Sequence, residues 1–403
     1  MPEPTVPTPF TAGAMARPAV VELVYFNAGG GHRASALALE AAIARAGLPW
    51  TVRLTHLFEV LDPTARFRQW TGMEPEDLYN RRLARGWTLG LAQELRVLQG
   101  MIRWSHRTLV RRLAAHWQQA APDLVVSLVP NFNRALSESV AAALPGVPFV
   151  TVMTDLADCP PHFWIEPEVA GQHIVCGSPR AVAQARAAGC GPGRIHATSG
   201  MVLSPAFHDL PPLDRPAERA ALGFAGEEPV GLVLFGGEGS RAMLGIARQL
   251  ADTPLILACG RNAALAGALR ALPARAPRLV LDYTRELPRY MRLADFFIGK
   301  PGSGSLSEAV QMGLPPIVAR NRWTMPQERY GAEWVQAGGL GLVLPRFAEL
   351  SRAVQALQGD LPRFRAAVRR QHNRAAFEVP QVLAGILAQA RAAGAPASWL
   401  RAA

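Results

Sequence analysis

The stretch Ala294–Pro316, ADFFIGKPGSGSLSEAVQMGLPP, leaves a chain few ways to fold. Phe296, Phe297 and Ile298 read as a buried strand, and Gly299, Gly302 and Gly304 as a turn of small residues. A helix follows, opened by Ser303 or Ser305, with Glu308 three residues after Ser305 in a capping-box pattern. Gly313 and the Pro315–Pro316 pair stop it. Such a unit leaves unpaired N–H groups and the positive end of a helix dipole above the turn, which suits an anion. Glu308 lies too deep for a phosphate but is well placed to accept two ribose hydroxyls. Phosphate and ribose side by side mean a nucleotide. An ordinary unliganded β-α turn looks much the same, so the rest of the chain has to decide.

At 403 residues the chain is long enough for two domains, and hydrophobic content of 49% with 18% charged residues is that of a globular protein. The net charge of +11 calls for an anionic partner or surface. Lys300, inside the glycine turn, is the only lysine; every other basic residue is arginine. Cys159, Cys176, Cys190 and Cys259 have neither CxxC nor zinc spacing, which predicts reduced thiols and a cytoplasmic location. No apolar run has the length of a membrane span, and residues 1–17 read as a disordered leader rather than a signal peptide.

Further strand–turn–helix units occur along the chain. Val20–Phe26 reads as a strand, Asn27–Ala36 as a second glycine-rich turn, and Ala34–Ala46 as an alanine-rich helix. The turn lacks the GxGxxG spacing of a dinucleotide site. His32 and Arg33 stand where it becomes a helix; His32 is either a catalytic group or a plain cap. Thr51–His56, His173–Cys176 and Arg194–Thr198 extend the series, and the apolar runs Pro122–Val129 and Pro148–Met153 read as buried in the manner of parallel strands. The Pro148 run ends in Thr154-Asp155-Leu156, followed by Asp158, His162 and Trp164; acids at that end of a parallel strand face a ligand crevice. Between these strands, residues 64–119 read as arginine-rich helices carrying Trp70, Trp87, Trp104 and Trp117, which suits an anionic membrane surface with indoles at headgroup depth. A solvated helical face with tryptophans in the core is the plainer alternative. No nucleic-acid-binding signature accompanies the charge.

The proline-rich stretch 204–216 reads as a linker between an N-terminal domain (18–203) and a C-terminal one (217–360), with helices at 361–403 that pack back across the hinge. In the second domain, strands at Val230–Phe235, Leu255–Ala258, Arg278–Asp282 and Pro316–Ala319 accompany the opening unit. The pattern predicts an α/β chain of two doubly wound domains facing a cleft.

In order, Gly29-Gly30-Gly31-His32-Arg33-Ala34-Ser35-Ala36, Phe149 through Leu156 with His162 and Trp164, Gly236-Gly237-Glu238-Gly239, Cys259-Gly260-Arg261-Asn262, Gly299-Lys300 through Glu308, and Gln327-Glu328 are similar to the motifs of one family. The chain resembles diacylglycerol glycosyltransferases of the monogalactosyldiacylglycerol synthase type. More distantly it resembles the GlcNAc transferase of the lipid-linked peptidoglycan precursor. The likeness runs from about Val21 to Leu344. It implies the GT-B fold, a UDP-sugar donor, no metal or other cofactor, and inversion at the anomeric carbon. Glu308 would then bind the ribose, with uracil near Glu286 and Leu287. Gly237, Gly239, Ser240, Arg241, Arg261, Lys300, Gly302, Ser303, Gly304 and Ser305 would surround the diphosphate, and Gln327 and Glu328 the sugar. His32 would be the base, with Asp155 orienting it or acting in its place. Gly30, Gly31, His162 and Trp164 would form the acceptor side, and the basic helices would lie on an anionic membrane at its cytoplasmic face. Rival readings are a GT-B transferase with a soluble acceptor, a UDP-sugar 2-epimerase, and a non-catalytic anion-binding protein on the same scaffold.

Overall fold

The computed structural model describes residues 17–27, 31–64, 68–69, 72, 91–167, 169 and 171–394. The apolar runs become short strands, nearly all between helices. In order they are β1 (Ala19–Tyr25), α1 (Gly31–Arg45), β2 (Trp50–His56), α2 (Leu57–Leu61), α3 (Leu91–Ala120), β3 (Leu124–Ser127), α4 (Asn133–Ala143), β4 (Phe149–Val152), β5 (His173–Cys176), α5 (Pro179–Ala187) and β6 (Ile195–Ala197). The second half runs α6 (Arg215–Ala221), β7 (Gly231–Leu234), α7 (Ala242–Gln249), β8 (Leu255–Ala258), α8 (Ala263–Arg270), β9 (Arg278–Leu281), α9 (Leu287–Leu293), β10 (Phe296–Gly299), α10 (Ser303–Gln311), β11 (Pro316–Ala319), α11 (Arg329–Ala337) and β12 (Leu342–Leu344). Then come α12 (Leu350–Gly359), α13 (Leu361–Arg369) and α14 (Ala375–Ala392).

The strands pair in parallel into two six-stranded sheets, ordered β2-β1-β3-β4-β5-β6 and β12-β11-β10-β7-β8-β9. Strands β3, β4, β7, β8 and β10 are buried at every residue, because helices cover both faces. Each sheet reverses its winding once, between β1 and β3 and between β7 and β10. A crevice opens beyond the carboxyl ends of the strands at such a switch point, and ligands of doubly wound sheets bind there. The two carboxyl edges face each other. Ser303 at the start of α10 donates to Asp155 Oδ1, just past β4, at 3.0 Å, and the Leu156 amide reaches Ser303 Oγ at 3.4 Å.

Several local expectations change. The capping box at Ser305 and Glu308 does not form: Gly302 is the N-cap, without a side-chain cap, and Ser303 turns its hydroxyl across the cleft. The half-buried β12 completes the second sheet where no strand was expected. Stretch 204–216 is no free linker, since Phe207 is buried in the C-terminal core. The tail 361–403 divides: α13 joins the second domain through Leu361, Phe364 and Val368, whereas α14 crosses back and buries Val379, Leu383, Ile386 and Leu387 against the first. Trp117 is fully buried and donates its indole N–H to Ser139 Oγ at 2.8 Å, so it anchors α3 to the core rather than to any surface. Trp104 is 91% exposed. Trp70 and Trp87, with most of 65–90, lie outside the described residues.

Candidate active site

Both switch points carry the residues singled out by sequence. Gly31 opens α1 and puts His32 on its first turn, beyond β1. Gly30 lies outside the described residues. His32 Nδ1 is 3.0 Å from the Leu128 carbonyl, beyond β3, and 3.1 Å from Thr154 Oγ1. A carbonyl can only accept, so Nδ1 carries the proton and Nε2 is left with its lone pair. Packing beside Phe26 and Trp164, with ring centroids 4.5 and 5.8 Å away, desolvates the ring. Burial lowers its pKa to about 4, against a smaller opposing effect of the Leu128 bond. His32 is therefore a neutral acceptor at pH 7.

Asp155 does not touch His32 through any hydrogen bond. It accepts from Trp164 Nε1 at 2.9 Å and from Ser303 Oγ, and burial raises its pKa to about 6 despite both donors. The group orienting His32 is thus the Leu128 carbonyl with Thr154. His162 holds a left-handed backbone, φ 63°, and its amide donates to Asp158 Oδ2 at 3.1 Å, while the Trp164 amide donates to Asp158 Oδ1 at 2.6 Å. Asp158 thereby fixes the turn that presents Trp164.

Across the cleft, Gly237, Gly239, Ser240, Lys300 and Glu328 line a cavity of about 330 Å³, together with Asn321, Trp323 and Arg346. That volume lies in the range of small-ligand sites, roughly 300–1,000 Å³. Glycine is required at two positions of its wall. Gly239 has φ 61°, and a Cβ there would stand 2.8 Å from the Cys259 carbonyl; at Gly260, φ 60°, it would collide with the Gly237 backbone. Lys300 Nζ pairs with Glu328 Oε1 at 2.6 Å. Arg261 stacks 4.7 Å above the Tyr283 ring and lies 3.5 Å from Glu238. Gly302, Ser303, Gly304 and Ser305 form the N-terminus of α10, whose first amides have no intrahelical partner, and Ser303 Oγ meets Asp155 across the cleft. Leu287 opens α9 and packs on the core beneath. The Gln327 amide lies 3.7 Å from Met325 Sδ, and its neighbour Glu328 is the one that lines the cavity.

Glu308, on the second turn of α10, has no side-chain hydrogen-bond partner among the described residues, and burial raises its pKa to about 7. Glu308 is half-buried rather than sealed in the core, so the donors of a ligand can reach its carboxylate. Among the described residues no group of three or more His, Cys, Asp or Glu side chains is gathered as for a metal ion.

Two Rossmann-like domains closing on such a cleft are the GT-B fold of glycosyltransferases. MurG of Acinetobacter baumannii superposes with a TM-score of 0.58 at 14% identity, over 91% of this chain and all of that one. The sequence relatives are more specific. Monogalactosyldiacylglycerol synthase 1, chloroplastic, of Arabidopsis thaliana is 28% identical over 358 residues, covering 84% of this chain and 64% of the plant protein. Monogalactosyldiacylglycerol synthase, chloroplastic, of Spinacia oleracea is 27% identical over 369 residues, covering 87% and 68%. The chain thus spans about two thirds of the length of these relatives. No protein-family model matches it.

Proposed function

We propose that this protein is an inverting glycosyltransferase that moves a hexose from a UDP-sugar to a lipid hydroxyl, of diacylglycerol or a glycolipid. One observation carries the reading: a neutral histidine with a free Nε2 stands at one switch point, and a helix N-terminus backed by an unpartnered carboxylate at the other. In this reading Glu308 takes the ribose hydroxyls, with uracil beside Glu286 and Leu287. The α10 amides, the Gly237–Ser240 turn, Arg241, Arg261 and Lys300 hold the diphosphate, so no metal ion is required, and Gln327 and Glu328 face the sugar. His32 Nε2 takes the acceptor proton as the acceptor oxygen bonds to the anomeric carbon. The bond from that carbon to the diphosphate breaks, and UDP leaves with the electron pair. Fixed cations and amides aimed at the departing oxygen stabilise that charge without reorganising.

The acceptor assignment rests on the homologues' names and on α3. Val97, Leu98, Met101 and Trp104 are exposed along one stretch of this helix, among Arg96, Arg103, Arg107 and Arg111. Apolar and aromatic side chains flanked by arginine suit an anionic lipid surface at the cytoplasmic face. No helix among the described residues is long and apolar enough to cross a membrane.

The reading is tested by UDP release from a panel of UDP-hexoses, with and without diacylglycerol in anionic vesicles. Lipid-dependent release is expected with one sugar. Nucleotide binding without it would shift the acceptor to a soluble molecule. The triple change Arg103→Gln, Arg107→Gln, Arg111→Gln should weaken vesicle binding roughly a hundredfold, at about 1 kcal/mol per arginine. The deficit should shrink as salt rises; equal binding by the variant overturns the surface assignment.

Glu308 gives a pH-dependent test. Its free-state pKa of about 7 leaves roughly three quarters of the molecules protonated there at pH 6.5. Two ribose donors favour the carboxylate, so binding lowers that pKa and releases a proton. UDP-hexose affinity should then rise with pH up to about 7 and level off above it. Calorimetry in buffers of different ionisation enthalpy should detect the proton, and Glu308→Gln should abolish it. Identical release by the variant removes Glu308 from the ribose.

A further inference from the structure

Three non-glycine residues among those described have positive φ, and two of them face each other beside the acceptor wall: Asn131 at 66° and His162 at 63°. Such conformations cost energy for residues with a Cβ and persist where surrounding contacts impose them. Two contacts do so here. The Asn131 amide donates to the Phe163 carbonyl at 2.6 Å, joining the two turns. The Gln99 side-chain amide then reaches both at once, donating to Asn131 Oδ1 at 3.1 Å and to the His162 carbonyl at 3.4 Å. Both partners are acceptors, so a terminal NH₂, with two protons, is the group that fits between them.

Gln99 belongs to α3, within the stretch that exposes Val97, Leu98 and Met101. The turn that it clamps continues into Trp164, whose indole meets Asp155 at 2.9 Å and whose ring lies 5.8 Å from His32. One side chain thus links the exposed apolar face of a helix to the wall beside the reacting groups. We propose that Gln99 is a positioning residue: seating α3 on a lipid surface tightens its clamp on the Asn131 and His162 turns and so sets Trp164 for transfer. The inference rests on the lipid-acceptor reading and adds to it a means of activation by the surface.

The test uses the full chain with vesicles of phosphatidylcholine and phosphatidylglycerol, and the variant Gln99→Glu. This change keeps the shape but turns a donor into an acceptor facing two oxygens. Vesicles should slow amide exchange over residues 158–165 of the native chain about tenfold, the scale of one hydrogen bond. In Gln99→Glu, with vesicle sedimentation and thermal midpoint close to native, that slowing should vanish. Turnover on vesicle-borne diacylglycerol, relative to monomeric dihexanoylglycerol, should fall by a similar factor with the KM for the UDP-sugar unchanged. Slowing that persists in the variant, or a native chain that binds vesicles with no change at 158–165, overturns the coupling alone. A native chain that neither sediments with vesicles nor glycosylates either lipid overturns the lipid reading, and this inference with it.

Discussion

His32→Ala is expected to lower turnover by about two to four orders of magnitude, the usual worth of a positioned proton acceptor, while leaving UDP affinity unchanged. The two effects separate because His32 stands on α1 in the first domain, whereas the proposed nucleotide contacts lie on α10 and the β7 turn in the second. The large loss follows from the preparation of the ring. Its Nδ1–H is committed to Leu128, and burial keeps it neutral, so every molecule at pH 7 presents an unprotonated Nε2. When Nε2 takes a proton, the Leu128 carbonyl already faces the imidazolium it must stabilise. Thr154→Val removes only the second contact, at 3.1 Å, and should cost far less. Single-turnover rates with nucleotide titrations check this. A His32→Ala chain within threefold of the native rate would show that the proton goes elsewhere, with Asp155 the next group to replace.

Much of the sheets was legible in the sequence because the fully buried parallel strands β3, β4, β7, β8 and β10 are continuous apolar runs. Strand β12 was not, because Leu342–Leu344 is three half-buried residues between Gly341 and Pro345, too short to show a period. His32, Asp155 and Glu308 could be picked out by chemistry and position, but their partners could not. That Leu128 supplies a carbonyl to His32, 96 residues away in the chain, depends on β3 lying next to β1. Ser303 read as a helix cap by local pattern, and a contact between domains, 148 residues apart, won instead. Gln99 and Asn131 have no local signature, since what marks Asn131 is a left-handed backbone and what marks Gln99 is its long-range contact with that turn.

Asp295→Ala should destabilise the second domain by roughly 3–5 kcal/mol, the cost of removing one partner from a buried ion pair. This carboxylate opens the stretch that carries Lys300 and α10, and it is 5% exposed. It accepts from Arg215 at 2.6 Å, from Arg219, from Arg365 and from the Val230 amide at 2.8 Å. Two of these arginines lie on α6 and the third on α13, so one side chain ties both helices to the strand beneath the proposed diphosphate turn. Without it, the buried Arg219 guanidinium keeps only its bond to the Leu293 carbonyl, and an uncompensated charge stays out of water. Asp295→Asn preserves the shape and should lose less, because an amide oxygen can still accept. The pH dependence has a definite sign. Burial alone would raise the Asp295 pKa, but the Val230 amide and the arginines outweigh it and hold the pKa below 3.8. The stabilisation is therefore complete above about pH 4 and is lost as pH falls through the folded-state value. Denaturant midpoints of native and variant chains should differ most at neutral pH and converge in acid. Equal midpoints at pH 7 would mean that the three arginines find water or other acceptors once the carboxylate is gone, and that the donor turn is held from below by packing alone.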